Sequence, residues 1–412
     1  MFRKALHSSA SYALAFLRWV LTGVLIGALC GVVGGLFAMG VEEATHLRQH
    51  NPWLVYLLPI GGLVIAGLYR VMKLPLSVGT DEIITTVRTQ GKVPVLMAPA
   101  IFLSTVLTHL LGGSAGREGA ALQLGGSIGA AIGDLTHPDL KRDSRSLFEL
   151  CGMAALFSAL FGTPLTAAIF VLEIIEIGHF HHRGLLPCMA SAITASLVAK
   201  AIGAPAEAFP LASGLVQIST VTVLQAAGVG IACALTAILF CSVMHFAGKR
   251  IKKWIPNDFL RIAVGGAVVI VLTLLVGSQD YNGGGMHVIL AALAGQAVPA
   301  AFLLKMLFTA VSLGSGFKGG EIVPSFFVGA TMGCTVAALL GLSPAVGAGL
   351  GLIGVFCGVT NAPLASLMLS VELFGTDYLP LMGVTVAISF MLSGHFSLYH
   401  SQLFADPKLG HE

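Results

Sequence analysis

Apolar segments of different lengths alternate along the chain, and their lengths predict its architecture. Runs long enough to cross a bilayer lie at about 12–45, 53–72, 185–202, 221–247 and 260–276. Other apolar runs are shorter than the ~20 residues of a perpendicular spanning helix, and one of them is interrupted at Gly162–Pro164. Short segments broken by glycine and proline are typical of helices that end inside a membrane around a binding site. We therefore predict a polytopic membrane protein that contains broken helices.

The two halves of the chain repeat one pattern. Met153–Glu173 matches Leu352–Glu372 at a constant offset of 199 positions, with phenylalanine, proline-leucine and glutamate at the same spacing. A glycine-rich stretch precedes each copy, at Gly112–Gly119 and at Gly314–Pro324. Such duplication is typical of transporters. The predicted organisation is a cytoplasmic start at 1–11, transmembrane halves at 12–204 and 219–400 joined by an outward loop at 205–218, and a short cytoplasmic tail without a regulatory domain at 401–412.

Composition agrees with this class. Of the 412 residues, 56% are hydrophobic and 10% are charged, and the mean hydropathy is +0.90; an ordinary soluble domain has roughly 25% charged residues. A net charge of +3 without a basic, aromatic stripe argues against nucleic-acid binding. The seven cysteines have neither metal-ligand nor disulfide spacing, so we expect buried thiols and no cofactor. A membrane enzyme is disfavoured because the sequence has no His-Glu-x-x-His motif and no pair of intramembrane aspartates.

Clusters of basic residues predict the orientation in the membrane. The four clusters are Arg3/Lys4, Arg70/Lys73, Lys141/Arg142/Arg145 and Lys249/Arg250/Lys252/Lys253. The positive-inside rule places such clusters in the cytoplasm. The loops at about 46–52 and 204–218 then face outward, and together they hold one arginine, Arg48. We expect a multi-pass protein of the inner (plasma) membrane with both termini in the cytoplasm.

The stretch Gly112–Gly129 is the strongest candidate for a functional site. Its glycine-dense loop opens directly into a predicted helix at about 117–133, and it holds Arg117 and Glu118 among apolar residues. The first N–H groups of a helix carry positive partial charge and can bind an anion. Ionisable groups inside a membrane segment typically mark an ion or proton path. The alternative is that Arg117 and Glu118 only cap the helix or pair with each other.

Three motifs resemble those of the CLC anion channels and transporters. Gly116–Gly119 followed by Ala120 resembles the GREGP motif of that family, and Gly320–Pro324 resembles its GxFxP motif with isoleucine in place of phenylalanine. Phe161–Leu165 resembles its break between two short helices. The resemblance extends over essentially the whole chain. It implies an all-α polytopic homodimer, in which each subunit is an inverted repeat of tilted and broken helices around one anion pathway.

The resemblance also implies roles for individual residues. Glu118 corresponds to the family's gating glutamate, which occupies an anion site when ionised and vacates it, or carries a proton, when neutral. Tyr399 corresponds to a pore tyrosine whose hydroxyl donates to the inner anion, although an interfacial anchor is the alternative. The residues expected to contact the anion, several of them through backbone N–H groups, are Gly116, Arg117, Gly119, Gly320, Ile322, Val323, Tyr399, Ser77, Val78 and Thr80.

The segment Leu76–Ile83 departs from the chloride-type pattern. Chloride-selective members of the family carry GSGIP there, with a serine that contacts the anion. In this chain Val78 aligns with that serine, and Ser77 or Thr80 could supply a hydroxyl instead. The sequence leaves open which of these positions, or only backbone, lines the pathway.

Other departures favour fluoride. A bacterial fluoride-exporting subgroup also lacks GSGIP, and it carries the Asp-Glu-Ile and Gly-Glu-x-x-Pro patterns present here at 81–83 and 320–324. Against this, Val323 stands where that subgroup has threonine. A strongly hydrated anion would therefore lose one hydrogen-bonding partner at this position. We predict fluoride/proton antiport, with chloride/proton exchange or passive chloride conduction as the alternatives.

The proton route points to Glu321. Proton-coupled chloride exchangers of the family have a glutamate just beyond the position of Glu173, where this chain has Ile174. Glu173 has a repeat mate in Glu372, which favours a structural role for both, and Glu176 is a weaker candidate. In the fluoride subgroup the glutamate of the second motif takes part in coupling. The resemblance therefore assigns gating to Glu118 and coupling to Glu321.

Two further features have competing interpretations. We interpret the histidines His179, His181 and His182 as part of a solvated loop rather than as metal ligands. Lys318, beside the second motif, could attract anions to a vestibule or could be a surface lysine that snorkels to the interface.

Overall fold

The computed structural model describes residues 2–89, 91, 93–136, 142–405 and 408, and it describes side chains outside 2–11 and 142–144. The predicted basic side chains at positions 3, 4, 141 and 142 and most of the predicted tail therefore lie outside the described residues. The described chain forms sixteen α-helices, which are α1 Phe2–His50, α2 Leu58–Val71, α3 Thr80–Thr89, α4 Met97–Leu110, α5 Glu118–Thr136, α6 Arg142–Phe161, α7 Pro164–Glu173, α8 Leu185–Ala201, α9 Thr220–Trp254, α10 Asp258–Val276, α11 Met286–Leu293, α12 Ala301–Ser315, α13 Ile322–Leu340, α14 Pro344–Thr360, α15 Pro363–Phe374 and α16 Leu379–Leu392.

Small elements complete the fold. Two 3₁₀ helices cover Pro52–Leu57 and His182–Gly184. Two short strands, β1 Glu176–Ile177 and β2 Leu403–Phe404, pair in parallel. This pair fastens the segment after α7 to the segment that follows Tyr399. The all-α prediction is confirmed apart from these four strand residues.

Helices of two lengths alternate, as the apolar pattern predicts. Within the described ranges, six helical stretches are long and apolar enough to cross a membrane: Tyr12–His50, Pro52–Val71, His182–Ala201, Thr220–Trp254, Asp258–Val276 and Ile322–Leu340. Several others are apolar but only 10–17 residues long, among them α4, α7 and α15. The helices extend beyond the apolar runs, since α1 begins ten residues before the predicted segment.

The predicted interruptions lie at the α6–α7 and α14–α15 junctions. Gly162 has φ 69° and Asn361 has φ 56°, so the backbone turns through the left-handed region at both junctions. Pro164 and Pro363 then start the next helix, where a missing N–H costs nothing because that group has no intrahelical acceptor. Both halves of the repeat therefore interrupt their helices in the same way, with a left-handed residue followed by a helix-starting proline.

Two repeat-related glutamates cap each other's short helices. Glu173, at the end of α7, accepts hydrogen bonds from the backbone N–H groups of Leu364 (2.9 Å) and Ala365 (2.8 Å) at the start of α15. Glu372, in α15, accepts from the N–H groups of Leu165 (3.0 Å) and Thr166 (2.8 Å) at the start of α7. These carboxylates satisfy helix N-termini across the two halves. Their matched positions in the sequence repeat follow from this exchange.

We expect Glu173→Ala and Glu372→Ala to destabilise the fold to a similar degree. Loss of a capping acceptor typically costs about 0.5–2 kcal/mol, and each variant leaves two N–H groups without their acceptor. Thermal unfolding of the purified protein in detergent should show a lower midpoint for both. Glu176→Ala, at the β1 pair, is the control, and a midpoint equal to that of the wild type in both capping variants would contradict this role.

Glycine pairs hold the helices around the centre at close approach. A Cβ on Gly125 of α5 would lie 2.1 Å from the carbonyl oxygen of Gly152 in α6. In the second half, a Cβ on Gly329 of α13 would lie 2.3 Å from the carbonyl oxygen of Gly351 in α14. Small residues permit such backbone contact between membrane helices. The two central helices α5 and α13 are thereby fixed against rigid neighbours.

Candidate functional site

The two glycine-rich loops meet at the centre of the molecule. Gly116 and Gly320 form an antiparallel bridge in which each N–H donates to the other's carbonyl oxygen, at 2.7 and 2.8 Å. Helix α5 begins at Glu118 and helix α13 at Ile322, directly after this bridge. The N-termini of two helices from opposite halves therefore converge on one point, which is the arrangement that concentrates positive partial charge.

The bridge tolerates no side chain. A Cβ on Gly320 would lie 2.3 Å from the backbone nitrogen of Gly119, and a Cβ on Gly119 would lie 2.9 Å from Cα of Gly320. Only glycine permits this backbone approach, which explains why both motifs are glycine-rich.

We expect Gly320→Ala to abolish transport, because the two helix starts must separate to admit the methyl group. Overpacking of this kind typically costs about 1–3 kcal/mol, and here the displaced atoms belong to the site itself. Ion flux in liposomes and thermal stability should both be measured. Gly383→Ala, in α16, is the control because a Cβ there meets nothing within 4 Å; transport by Gly320→Ala at the control's rate would contradict the role of the bridge.

Several of the predicted backbone donors already have partners. The N–H groups of Gly116 and Gly320 bond across the bridge, and the N–H of Arg117 donates to Oε2 of Glu118 at 3.0 Å. The prediction that all of these amides face an anion therefore needs correction. The first-turn amides of Gly119, Ile322 and Val323 have no acceptor within their own helices, so they form the smaller set that can serve an anion.

Glu118 lies in a cavity that we call the Glu118 cavity. Its volume is about 390 Å³, and Arg117, Glu118 and Val323 are among its lining residues. The Glu118 side chain is fully buried, and its Oε1 has no hydrogen-bond partner among the described residues. Burial opposes its charge, whereas the N-terminus of α5 favours it. The opposing effects make this carboxylate responsive to a proton or to a competing anion.

Glu321 and Tyr399 line a second cavity of about 280 Å³, the Glu321 cavity. A Cβ on Gly119 would lie 3.4 Å from Oε2 of Glu321, which places that carboxylate beside the start of α5. Tyr399 is 3% exposed, and its hydroxyl has no hydrogen-bond partner among the described residues. An unpaired, buried hydroxyl beside a helix start can donate to an anion. The burial of this ring argues against the alternative of an interfacial anchor.

The two cavities lie toward opposite ends of the long helix α9. Pro205 and Glu207, in the segment before α9, line the Glu118 cavity. Gly248 and Lys252, in the last turns of α9, line the Glu321 cavity. Gly116 faces the first cavity and Gly319 faces the second, so the glycine bridge lies between them. Glu118 thus lies on one side of the bridge and Glu321 on the other.

The three candidate positions at the start of α3, Ser77, Val78 and Thr80, have different environments. The hydroxyl of Thr80 is buried, donates to the carbonyl oxygen of Gly119 at 3.3 Å and accepts from Nε2 of Gln123 at 3.2 Å. Ser77 is exposed at the wall of the Glu321 cavity. The carbonyl oxygen of Val78 accepts a hydrogen bond from Nζ of Lys318 at 2.8 Å. Thr80 is therefore the one of the three whose hydroxyl contacts the start of α5.

Lys318 is an internal cation. It is 6% exposed, donates to the carbonyl oxygen of Leu76 at 2.7 Å, and lies over the ring of Tyr69. The interpretation as a snorkelling surface lysine is wrong, because the ammonium is held by carbonyl oxygens and an aromatic face. Its contacts fix the loop before α3 against the second motif.

Sequence reasoning missed two polar residues. Gln123 lines the Glu321 cavity, and its Oε1 has no hydrogen-bond partner among the described residues. The signal in the sequence is the single amide side chain of Gln123 in the largely apolar first turns of α5. Glu207 forms an ion pair with Arg117 at 2.9 Å, shorter than the 3.9 Å between Arg117 and Glu118. Glu207 falls in the segment that was predicted as an outward loop, where nothing in the pattern marks it.

The start of that loop lines the site. Pro205–Ala208 line the Glu118 cavity, and Phe209 is buried against the ring of Phe326 at 6.0 Å. The predicted outward loop therefore contributes residues to the site itself. Phe209 anchors the segment to α13 and so positions Glu207 over Arg117.

The histidine tract and the cysteines do not line the Glu118 cavity or the Glu321 cavity. His179, His181 and His182 line a separate cavity beside α1 and α6. Within the described ranges, no group of three or more histidine, cysteine or acidic residues could hold a metal ion. All seven cysteines are buried free thiols, as their apolar surroundings predict.

Comparison with known sequences identifies the family. A family model described as "Voltage gated chloride channel" matches residues 61–394. The "Chloride/fluoride channel protein" of Pseudomonas syringae pv. tomato is 36% identical over 393 residues, covering 93% of this chain and 86% of that protein. The "Putative chloride channel protein ClcB-like" of Ralstonia nicotianae is 27% identical, covering 84% of this chain and 88% of that protein.

Solved structures of CLC proteins have the same fold. A CLC-type fluoride/proton antiporter superposes with a TM-score of 0.90 and 29% identity, covering 94% of this chain and 98% of that one. A slow cyanobacterial Cl⁻/H⁺ antiporter superposes with a TM-score of 0.76 at 20% identity, covering 91% and 94%, which supports the fold alone. The chain belongs to the CLC family of voltage-gated chloride channel proteins and is a multi-pass membrane anion transporter, not an enzyme.

Proposed function

We propose that this protein exports fluoride in exchange for protons. The observation that carries the proposal is the pair of carboxylates on opposite sides of the Gly116–Gly320 bridge, the buried Glu118 and the half-buried Glu321. A conductor needs only the anion donors at the bridge, whereas an exchanger also needs groups that carry a proton past it. The likeness to a solved fluoride/proton antiporter at 29% identity supports the same conclusion.

The charge distribution supports an orientation. Lys252 lines the Glu321 cavity, and Arg70 lies over the ring of Phe259 at the start of α10, close in sequence to the basic end of α9. The positive-inside rule then directs the Glu321 cavity to the cytoplasm and the Glu118 cavity outward. Arg48, near the end of α1, lines the Glu118 cavity, so the start of this 49-residue helix is on the cytoplasmic side. We assign the protein to a bacterial inner membrane, with both termini in the cytoplasm.

The family likeness also supports a homodimer with one anion pathway in each subunit. The pathway described above is built from both halves of one chain, since the bridge and both glutamates come from the same subunit. A second subunit is therefore not needed to complete the site.

The transport cycle follows from the contacts. Fluoride enters the Glu321 cavity, where the hydroxyl of Tyr399 and the first-turn amides of α13 replace part of its hydration. An outside proton neutralises Glu118, which releases its bond to the N–H of Arg117 and frees the start of α5 for fluoride. Fluoride leaves outward, and the proton passes to Glu321 and then to the cytoplasm. One carboxylate thereby serves both as a competitor of the anion and as the carrier of the proton.

Val323 is the observation that favours the second candidate, chloride transport. It lines the Glu118 cavity, and its side chain offers no hydrogen bond to a small, strongly hydrated anion. Thr80 and Gln123 supply polar groups beside the start of α5. We propose that these groups, together with the amides, keep fluoride preferred over chloride.

Efflux of each halide from liposomes tests the proposal. Wild-type protein should release fluoride faster than chloride, and Val323→Thr should raise the fluoride-to-chloride rate ratio by about tenfold, because it adds one hydrogen-bonding group of similar volume. Val323→Ala is the matched control, since it changes space without adding a hydroxyl, and it should not raise the ratio. Equal release of both halides by the wild type would favour the chloride alternative.

A further inference from the structure

Arg117 lies between two carboxylates in the Glu118 cavity. Its Nη2 is 2.9 Å from Oε1 of Glu207, and its Nε is 3.9 Å from Oε1 of Glu118. Its Nη1 donates to the carbonyl oxygen of Ala38 at 3.5 Å. The guanidinium is thus shared by the gating candidate and by a residue from the segment before α9.

The two carboxylates differ in their access to solvent. The Glu118 side chain is 0% exposed, whereas that of Glu207 is 12% exposed. Glu42, His46, Arg48, His109 and His287 line the same cavity. Both carboxylates line this cavity, but only the side chain of Glu207 is partly exposed to the solvent in it.

Each carboxylate has one oxygen without a hydrogen-bond partner among the described residues, Oε1 of Glu118 and Oε2 of Glu207. A buried polar atom of this kind needs a proton, a water molecule or an ion. One guanidinium also cannot neutralise two ionised carboxylates in a buried site. We call Arg117, Glu118 and Glu207 the Arg117 cluster. Both observations indicate that this cluster holds one proton on its pair of carboxyl groups.

We propose that Glu207 is the proton-transfer residue that loads Glu118 from the outer side. A proton from the cavity binds the partly exposed carboxylate of Glu207 and then moves to Oε1 of Glu118, directly or through one water molecule. Glu207 returns to its ionised form and keeps its ion pair with Arg117, which stays charged throughout. The neutral Glu118 then leaves the start of α5. This inference rests on the proposed fluoride/proton exchange.

The inference predicts the behaviour of Glu207→Gln in liposomes with measured fluoride and proton fluxes. The amide keeps a hydrogen-bond acceptor for Arg117 but cannot carry the proton, so coupled exchange at neutral external pH should fall by about 100-fold, as for loss of a proton-transfer group. Glu207→Asp should retain most of the activity. Glu42→Gln removes a carboxylate from the same cavity without touching Arg117, and it should exchange at the wild-type rate.

A double variant separates proton transfer from a purely structural role. In Glu118→Gln the group that Glu207 serves is already absent, so adding Glu207→Gln should leave the remaining fluoride flux unchanged. A further fall in that flux would overturn the inference, as would wild-type exchange in the single variant Glu207→Gln. If the wild type moves fluoride without protons, the proposed exchange itself fails, and the Glu207 variants are not needed to show it.

Discussion

We expect Glu118→Ala to lose nearly all coupled proton movement while fluoride still crosses the membrane. Removing the carboxylate frees the N–H of Arg117 and the start of α5, so the anion meets no competitor there. The proton loses its carrier at the outer side of the bridge. Fluoride-driven proton uptake should therefore fall by about 100-fold or more, as for loss of a proton-transfer group. Parallel recordings with a fluoride electrode and a pH electrode on the same liposomes check this.

The matched control for this variant is Glu42→Ala. Glu42 lines the same cavity from α1 and lies outside the Arg117 cluster, so its loss should leave coupling intact. If Glu118→Ala still takes up protons at the wild-type ratio to fluoride, Glu118 is not part of the proton route and acts only as a competitor of the anion.

Glu321→Gln stops the exchange from the opposite side. The amide keeps the shape of the side chain beside Gly119, but it cannot accept the proton that Glu118 passes on to the Glu321 cavity. Because each proton must leave before the next fluoride is exported, both fluxes should fall together by about 100-fold. Initial rates of fluoride and proton movement under the same gradient provide the measurement.

Glu82→Gln is the control for Glu321→Gln. Glu82 is a carboxylate of the neighbouring helix α3 that does not line the cavity. A Glu321→Gln variant that still exchanges at the control's rate would show that protons reach the cytoplasm by another route. The different signatures of the two variants, uncoupled for Glu118→Ala and slow for Glu321→Gln, assign each carboxylate its own step.

Local rules in the sequence predict the broken helices well. Gly162 stands two residues before Pro164, and Asn361 stands two residues before Pro363; both pairs reflect backbone requirements that act over a few residues. The glycine-rich loops were likewise recognisable because a helix start next to ionisable residues has few other uses in a membrane. The fold and the location of the site follow from such short-range signals.

Contacts between distant segments could not be predicted in this way. The amides of Gly116 and Gly320 were expected to face an anion, but their mutual bridge uses them. The contact of Glu207 with Arg117 has no signal near Glu207 in the sequence, because the burial of Phe209 turns this loop segment inward. For Lys318 the sequence allows both an anion-attracting vestibule lysine and a surface lysine, and only its carbonyl partners exclude the second. In each case the partner lies far away in sequence, and no periodicity reports it.

The measurement that tests the central claim most directly is fluoride-driven proton pumping by the wild-type protein. Liposomes loaded with fluoride, at equal pH inside and outside and with the membrane voltage held at zero by potassium and valinomycin, provide no other driving force for protons. The account predicts that protons enter the liposomes as fluoride leaves, so that the external solution becomes alkaline. Fluoride efflux without any change of external pH would contradict it and would make this protein a passive anion channel.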